Sequence, residues 1–268
     1  MMAAIRVGVG GWSFAPWRGV FYPPGLPQAR ELDHASRQLT SIEINATFYG
    51  SQRPESFRRW RAATPDGFVF SVKAPRVATH RRVLAEAGPS IERFLGSGIV
   101  ELGKKLGPLL WQFPPTARFD AADFESFLAL LPKAQNGLQL RHVVETRHDS
   151  FVDPQFPALL RRFGVAWAIV ESEKHTLLGD VTADFVYARL QRNEEGRPEG
   201  YSPEALDAWA DRFRRWAAGK TVAELPLAGP ARKTGRKPLD CFVYFISGAK
   251  VRAPAAAMAL LGRLARAK

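Results

Sequence analysis

Eight short β-rich runs, separated by helix-prone stretches, constrain this chain more than any other feature. The runs are IRVGVG at 5 to 10, SIEIN at 41 to 45, FVFSVK at 68 to 73, PLLWQF at 108 to 113, LQLRHVVE at 138 to 145, GVAWAIVE at 164 to 171, FVYARL at 185 to 190 and CFVYFI at 241 to 246. Helix-prone segments occupy 28–39, 55–63, 90–106, 121–131, 154–163, 203–218 and 253–267. Strand and helix are expected to alternate eight times, which requires parallel strands joined by crossover helices. Eight units in 268 residues match one domain, a single α/β TIM barrel of the (β/α)8 type, for which ~250 residues is typical. An open doubly wound sheet would gather its site at one switch point. Here polar residues close the strands all round, which favours the barrel.

With 46 % hydrophobic and 24 % charged residues, the chain has the apolar content for a large core and is too apolar to be disordered. No apolar run approaches the ~18 residues of a membrane helix. The opening MMAAIRVGVGG reads as a strand rather than a signal peptide, so the expectation is a cytoplasmic protein with no membrane partner. Cys241, set in CFVYF, reads as a small core residue. The net charge of +12 raises the local concentration of anions. Much of that excess lies in pairs such as Arg58 and Arg59, Arg161 and Arg162, or Arg214 and Arg215, where solvated helix faces account for it. LPLAGPARKTGRKPLD at 225–240 is expected to be a flexible basic loop on the face opposite the active-site loops. The glycines of GVGGWSF at 8–14 lack GxGxxG spacing and read as a tight turn.

Strand residues alternate between faces, so placing Ile42 and Ile44 against the helices sends Glu43 and Asn45 into the barrel mouth. The same alternation pairs Ser71 with Lys73, Leu110 with Gln112, Val143 with Glu145 and Arg147, and Tyr187 with Arg189. Each polar residue falls late in its strand, the end where barrel enzymes carry their chemistry. A buried ion-pair network, with Glu43 and Glu145 neutralising Lys73, Arg147 and Arg189, would satisfy the need to pair buried charge. An apolar barrel end would serve stability as well, so five charges at one depth point to a ligand site. Their sum, 3 − 2 = +1 before Glu171 is counted, favours a small anionic ligand. His80 follows the third strand and His148 the fifth. Glu145, His148 and Asp149 lack HxH or HExxH spacing and have an arginine among them, so no metal is expected. The histidines are read as hydrogen-bonding partners that orient neighbours, and no cofactor is assigned.

GWSFAPWRGVFYP at 11–23, EINATFY at 43–49, FVFSVKAP at 68–75 with Thr79 and His80, LLWQFPP at 109–115 and VETRHDSF at 144–151 together resemble the YecE-like family, a domain of unknown function (DUF72) with a TIM-barrel fold. The resemblance covers nearly the whole chain. It implies that Glu43, Asn45, Tyr49, Lys73, His80, Gln112, Glu145, Arg147, His148 and Arg189 occupy the family's characteristic positions, and it supplies no reaction. The chain departs from the pattern with RLQR at 189–192 in place of Arg-Leu-His-Gly and YFIS at 244–247 in place of Tyr-Phe-Asn-Asn. Phe14 and Phe151 replace a tyrosine and a tryptophan.

Two readings of function follow. In the first, the chain is a hydrolase or lyase for a small anionic substrate, phosphorylated or sugar-containing. Glu43 and Glu145 act as acid and base, while Lys73, Arg147 and Arg189 hold developing negative charge. Trp12 or Tyr49 stacks on the substrate, with Asn45, His80, Gln112, His148, Arg192 and Tyr244 beside it. Arg192 supplies a forked donor that joins Arg189 and Lys73 on a phosphate. In the second, the mouth and the basic exterior bind nucleic acid or a nucleotide without chemistry, a reading supported by the mixing of aromatic and basic residues in GWSFAPWRGVFYP.

Overall fold

In the computed structural model, which describes residues 3–231 and 237–266, eight strand positions run in parallel around a barrel. They are β1 (Ile5–Gly10), β2 (Ser41–Ile44), β3 (Val69–Lys73), β4 (Leu106–Gln112), β5 (His142–Glu145), β6 in two pieces (Ala166–Trp167 and Ile169–Glu171), β7 (Phe185–Leu190) and β8 (Asp240–Phe245). The sheet order begins at the first piece of β6, passes through β5, β4, β3, β2, β1, β8 and β7, and returns to the second piece of β6. The ring therefore closes through a strand that changes partner at Ala168. At that seam the Trp167 amide donates to Thr182 Oγ1 at 2.8 Å and the Ala168 amide to the Val144 carbonyl at 2.9 Å.

The outer layer comprises α1 (Glu31–Gln38), α2 (Pro54–Ala62), α3 (Gly88–Leu95), α4 (Ala121–Ala129), α5 (Gln155–Phe163), α6 (Pro203–Ala217) and α7 (Ala253–Arg266). Local chemistry starts and stops several of them. Asp120 and Ser202 cap α4 and α6 by accepting from the amides of Asp123 and Ala205, and Gly164 ends α5 in the left-handed region. The expected helix at 90–106 breaks after α3. Gly98 there has φ 102°, and a side chain at that position would lie 2.8 Å from Pro54. The fifth run also divides. Asn136 and Gly137, with φ of 46° and 77°, turn a small hairpin between Ala134–Gln135 and Leu138–Gln139, as an Asn-Gly pair favours, so the barrel strand starts only at His142.

The expected eightfold alternation is short by one helix, because residues 172–184 contain none. Two extended stretches cover that side instead. The Gly179 amide donates to the Pro226 carbonyl at 2.9 Å, the Ala228 amide to Asp180 at 2.8 Å, and Leu225 is buried in the outer core with Leu177 and Leu178 packed against it. The expected flexible basic loop at 225–240 is therefore pinned along its first residues. Its residues 232–236 lie outside the described ones.

Two apolar layers hold the fold together: a large one between strands and helices, and a smaller one inside the barrel that includes Val69, Leu110, Val143, Phe185 and Phe242. Cys241 is buried, and burial pushes its thiol up from its ordinary range. Arg58 pairs with Glu55 and Glu101, and Arg162 with Glu125, as solvated helix faces do. Arg161, Arg214 and Arg215 are instead half-buried, contrary to the expected solvated faces, with Arg161 beside buried Asp180 and Arg214 donating to the Arg263 carbonyl. Among the described residues no helix is long and apolar enough to cross a membrane.

Candidate functional site

Strand register brings the polar ends to one depth: Gly10 lies beside Glu43, Glu43 beside Ser71, Gln112 beside Glu145, and Arg189 beside Tyr244. Glu43, Lys73, Gln112, Glu145 and Arg189 all gather at the C-terminal mouth, as the alternation of faces requires.

Arg189 is the hub of the floor. Its Nε and Nη2 donate to the two oxygens of Glu43, each at 3.0 Å, while Nη1 donates to Glu145 Oε2 at 2.5 Å. The Tyr187 hydroxyl donates to Glu43 Oε2 at 2.7 Å. Gln112 Nε2 and Arg147 Nε donate to Glu145 Oε1 at 2.8 and 2.9 Å. Both carboxylates are fully buried. Burial works to raise the Glu145 carboxyl, but the Arg189 and Arg147 guanidiniums outweigh it and hold it down at about 2. Burial likewise opposes the charge on Arg189, and Glu145 and Glu43 reverse that and raise it.

Above this floor lies an open cavity of about 740 Å³, lined in part by Trp12, Asn45, Phe48, Tyr49, Lys73, Gln112, Arg147, Arg189 and Lys250. Four of its lining residues are cationic, and none is a carboxylate. Glu43 and Glu145 do not line it, so the expectation that they act directly as acid and base on a ligand does not fit their position. Each is sealed beneath the cavity with its oxygens already engaged.

Like Lys250, whose Nζ also lies over aromatic rings and whose proton affinity burial also lowers, Lys73 has no carboxylate partner among the described residues, and it is the more deeply buried of the two. It is 7 % exposed, its Nζ stands 3.7 Å from the Phe48 ring centroid, and no hydrogen-bond acceptor among the described residues takes that ammonium. Burial, then the charge of Arg189, pushes it down to about 8, against the pull of Glu43 and Glu145.

β1 contributes space. Gly8 and Gly10 are strand residues, not the expected tight turn; only Gly11, at φ 74°, turns the chain. A side chain on Gly10 would come within 2.8 Å of Asn45 Nδ2.

The remaining expected residues scatter. Trp12 reaches the cavity with its ring packed edge-on against Trp60 at 5.1 Å, and Tyr49, which is 78 % exposed, lines it with its ring edge-on to Phe48 at 5.2 Å. His80 is exposed beside Phe48 and bonded to Thr79. Burial and then Arg76 lower its affinity for a proton. His148 caps the short turn at Asp149–Phe151 by accepting from the Ser150 amide. Tyr244 is level with Arg189 in strand register but does not line the cavity; it is fully buried and bonded to Ser41 at 2.7 Å. Glu171 faces outward and accepts from Trp209 and Tyr201. Arg192 belongs to an adjoining basin of about 780 Å³ with Lys174, His175 and Gln191, which meets the first along Arg147 and Ser247. The expected trio of Arg189, Arg192 and Lys73 on one anion is thus divided: Arg189 is committed to carboxylates and Arg192 stands in the next basin.

Reading the strands alone misses Phe48 and Lys250. Phe48 sits within EINATFY, one position before the tyrosine singled out. Lys250 follows the eighth strand, and its Nζ lies 4.5 Å from the Phe14 ring, so the aromatic at 14 has a cation as its neighbour. Among the described residues no three His, Cys, Asp or Glu side chains gather to hold a metal ion.

Comparison with known proteins agrees with this architecture. The chain is 29 % identical over 142 residues to the UPF0759 protein YecE of Escherichia coli K12, a match covering 52 % of this chain and 48 % of that one. The matched stretch thus spans about half the length of that curated relative. The crystal structure of a DUF72 family protein from Thermotoga maritima superposes with a TM-score of 0.75 at 24 % identity, covering 98 % of this chain and 100 % of the other. A xylose isomerase-like TIM barrel/4-hydroxyphenylpyruvate dioxygenase fusion protein superposes with a TM-score of 0.50 at 15 % identity, over 95 % of this chain and 41 % of that one. These likenesses speak to the fold. A model of the family described as protein of unknown function DUF72 matches residues 6–268, and the chain belongs to that family.

Proposed function

We propose that the barrel mouth is the active site of an enzyme, of lyase or hydrolase type, that takes a small anionic substrate and exchanges a proton with it through Lys73. One observation carries the reading: among the described residues the cavity wall presents Lys73, Arg147, Arg189 and Lys250 and no carboxylate, and none of them accepts from the ammonium of Lys73. At about 8, Lys73 is roughly one-tenth neutral at pH 7, within the range useful to a general base. Arg147 and Lys250 receive the anionic group, and Tyr49 covers an apolar or ring portion. Glu43 and Glu145 act at one remove, fixing Arg189 and Arg147 so that positive charge is in place before a ligand arrives.

Titration calorimetry with inorganic phosphate and with small sugar phosphates tests the reading. Wild type is expected to bind, and Arg147→Met to bind at least about tenfold more weakly, a loss of ~1.4 kcal/mol. Equal affinity in the two proteins, or no binding of any anion, overturns it. A single-stranded oligonucleotide bound with a steep salt dependence, and unaffected by Arg147→Met, would instead favour nucleic-acid binding by the basic exterior.

A further inference from the structure

We propose that Lys73 forms an imine with a carbonyl carbon of the substrate, so that the ligand is an anionic aldehyde or ketone and the reaction passes through a covalent intermediate. The inference rests on the anion-binding reading above and names the substrate class for the same cavity.

A lysine becomes a nucleophile when it is desolvated, set beside other cations and left without a carboxylate partner. Lys73 meets all three conditions. The residue is 7 % exposed, and its Nζ lies over the face of Phe48 at 3.7 Å. The two carboxylates at its depth are taken by other donors: Glu43 by Arg189 and Tyr187, Glu145 by Arg189, Arg147 and Gln112. Those bonds turn carboxylate oxygens toward guanidinium groups instead of toward the amine. With burial and Arg189 lowering the ammonium to about 8, a usable fraction is free amine near neutral pH.

The step balances without an oxidant or reductant. The lone pair of neutral Nζ adds to the carbonyl carbon while the π pair of that bond moves to oxygen. Both protons of the amine then leave with that oxygen as water, and a C=N bond remains. Once protonated, the imine draws electrons from the adjacent carbon, so a neighbouring C–H or C–C bond breaks more readily. Arg147 and Lys250, on the same cavity wall, hold the anionic group of such a substrate.

Pyridoxal 5′-phosphate, which joins an aldehyde to a phosphate, serves as the probe. Wild-type protein is incubated with it, reduced with borohydride and digested with trypsin. The expected product is the 62–76 peptide with Lys73 uncleaved and carrying the reduced probe, in a yield that climbs as pH passes about 8. Lys73→Arg should lose this adduct while background labelling of exposed lysines such as Lys104 and Lys133 is unchanged. Phosphate binding to the unmodified protein is measured alongside. If Lys73 stays unlabelled while phosphate binds, the imine is rejected and the anion cavity stands. If Lys73 stays unlabelled and phosphate does not bind, both fall. Labelling of Lys73 that excess phosphate does not suppress retains the imine and rejects the anion site. Because the labelled position is read in wild-type protein, the outcome does not depend on whether the variant folds.

Discussion

Two layers of the same barrel mouth treat charge in opposite ways. In the floor, Arg189, Glu43 and Glu145 are fully or almost fully buried and joined by at least three hydrogen bonds. In the wall above, Lys73 is nearly as buried, and its ammonium lies over an aromatic face at the edge of the open cavity with no carboxylate bonded to it among the described residues. Pairing repays much of the desolvation penalty of a buried charge, and an unpaired one lowers its own pKa instead. The contrast teaches that the floor network, which by itself would satisfy the purely structural reading, also does something for the layer above. By occupying both carboxylates it denies them to Lys73.

The largest test of that contrast is to remove the hub. Arg189→Met leaves Glu43 and Glu145 buried without their shared cation, and the expected loss of stability is ~3–5 kcal/mol, read by urea unfolding at pH 7. A loss below about 1 kcal/mol, the level of an exposed pair, would mean that the floor is not a coupled unit.

Acid and alkali should then separate the two layers. Glu145 is held at about 2 when folded, below its ordinary value, so the unfolded chain binds more protons. Its stabilisation is present above about pH 4.5 and is lost as pH falls toward 2, on the order of 3 kcal/mol in all. Lys73 at about 8 lies below its ordinary 10.5. Its charged form disfavours the fold up to about pH 8, and stability should rise between about pH 8 and 10.5. Lys73→Met should be more stable than wild type at pH 7 and lack that alkaline rise. If the rise persists in Lys73→Met, another group produces it.

The smallest effect is expected at the rim. Arg192 is exposed, so Arg192→Ala should change stability by no more than ~0.5 kcal/mol. If the adjoining basin receives part of the ligand, phosphate affinity should fall a few-fold. An unchanged affinity would confine the ligand to the cavity around Lys73.

How much of this could be read in the chain varies with the reach of the forces involved. Alternation along a strand is local, so the inward faces of Glu43, Lys73, Gln112, Glu145 and Arg189 followed from counting by twos. Depth is not local. Tyr244 is paired with Arg189 in register, yet of the two only Arg189 lines the cavity, whereas Glu171 faces outward in step with Val165, Trp167 and Ile169 on its own strand. Bonding partners were the least legible. The five charges could be counted, but that Arg189 would take both carboxylates and leave Lys73 alone is decided by side-chain reach across the barrel. The absence of a helix at 172–184 departs from the expected eightfold alternation, although no helix-prone segment lies between the sixth and seventh runs.

That missing helix bears on how the barrel moves. A ring of parallel strands has no natural end, but here the sheet changes partner at Ala168, and a threonine hydroxyl stands in for a backbone acceptor. The same sector is covered by extended chain, not by a helix with its own internal hydrogen-bond ladder. Opening should therefore begin there, with the amides of Trp167 and Ala168 exchanging with solvent ahead of those of β1 to β4, like a hoop that parts at its clasp. The basin that holds Arg192, Lys174 and His175 sits on this sector, so the half of the mouth with the least rigid support also lies closest to the least constrained part of the ring.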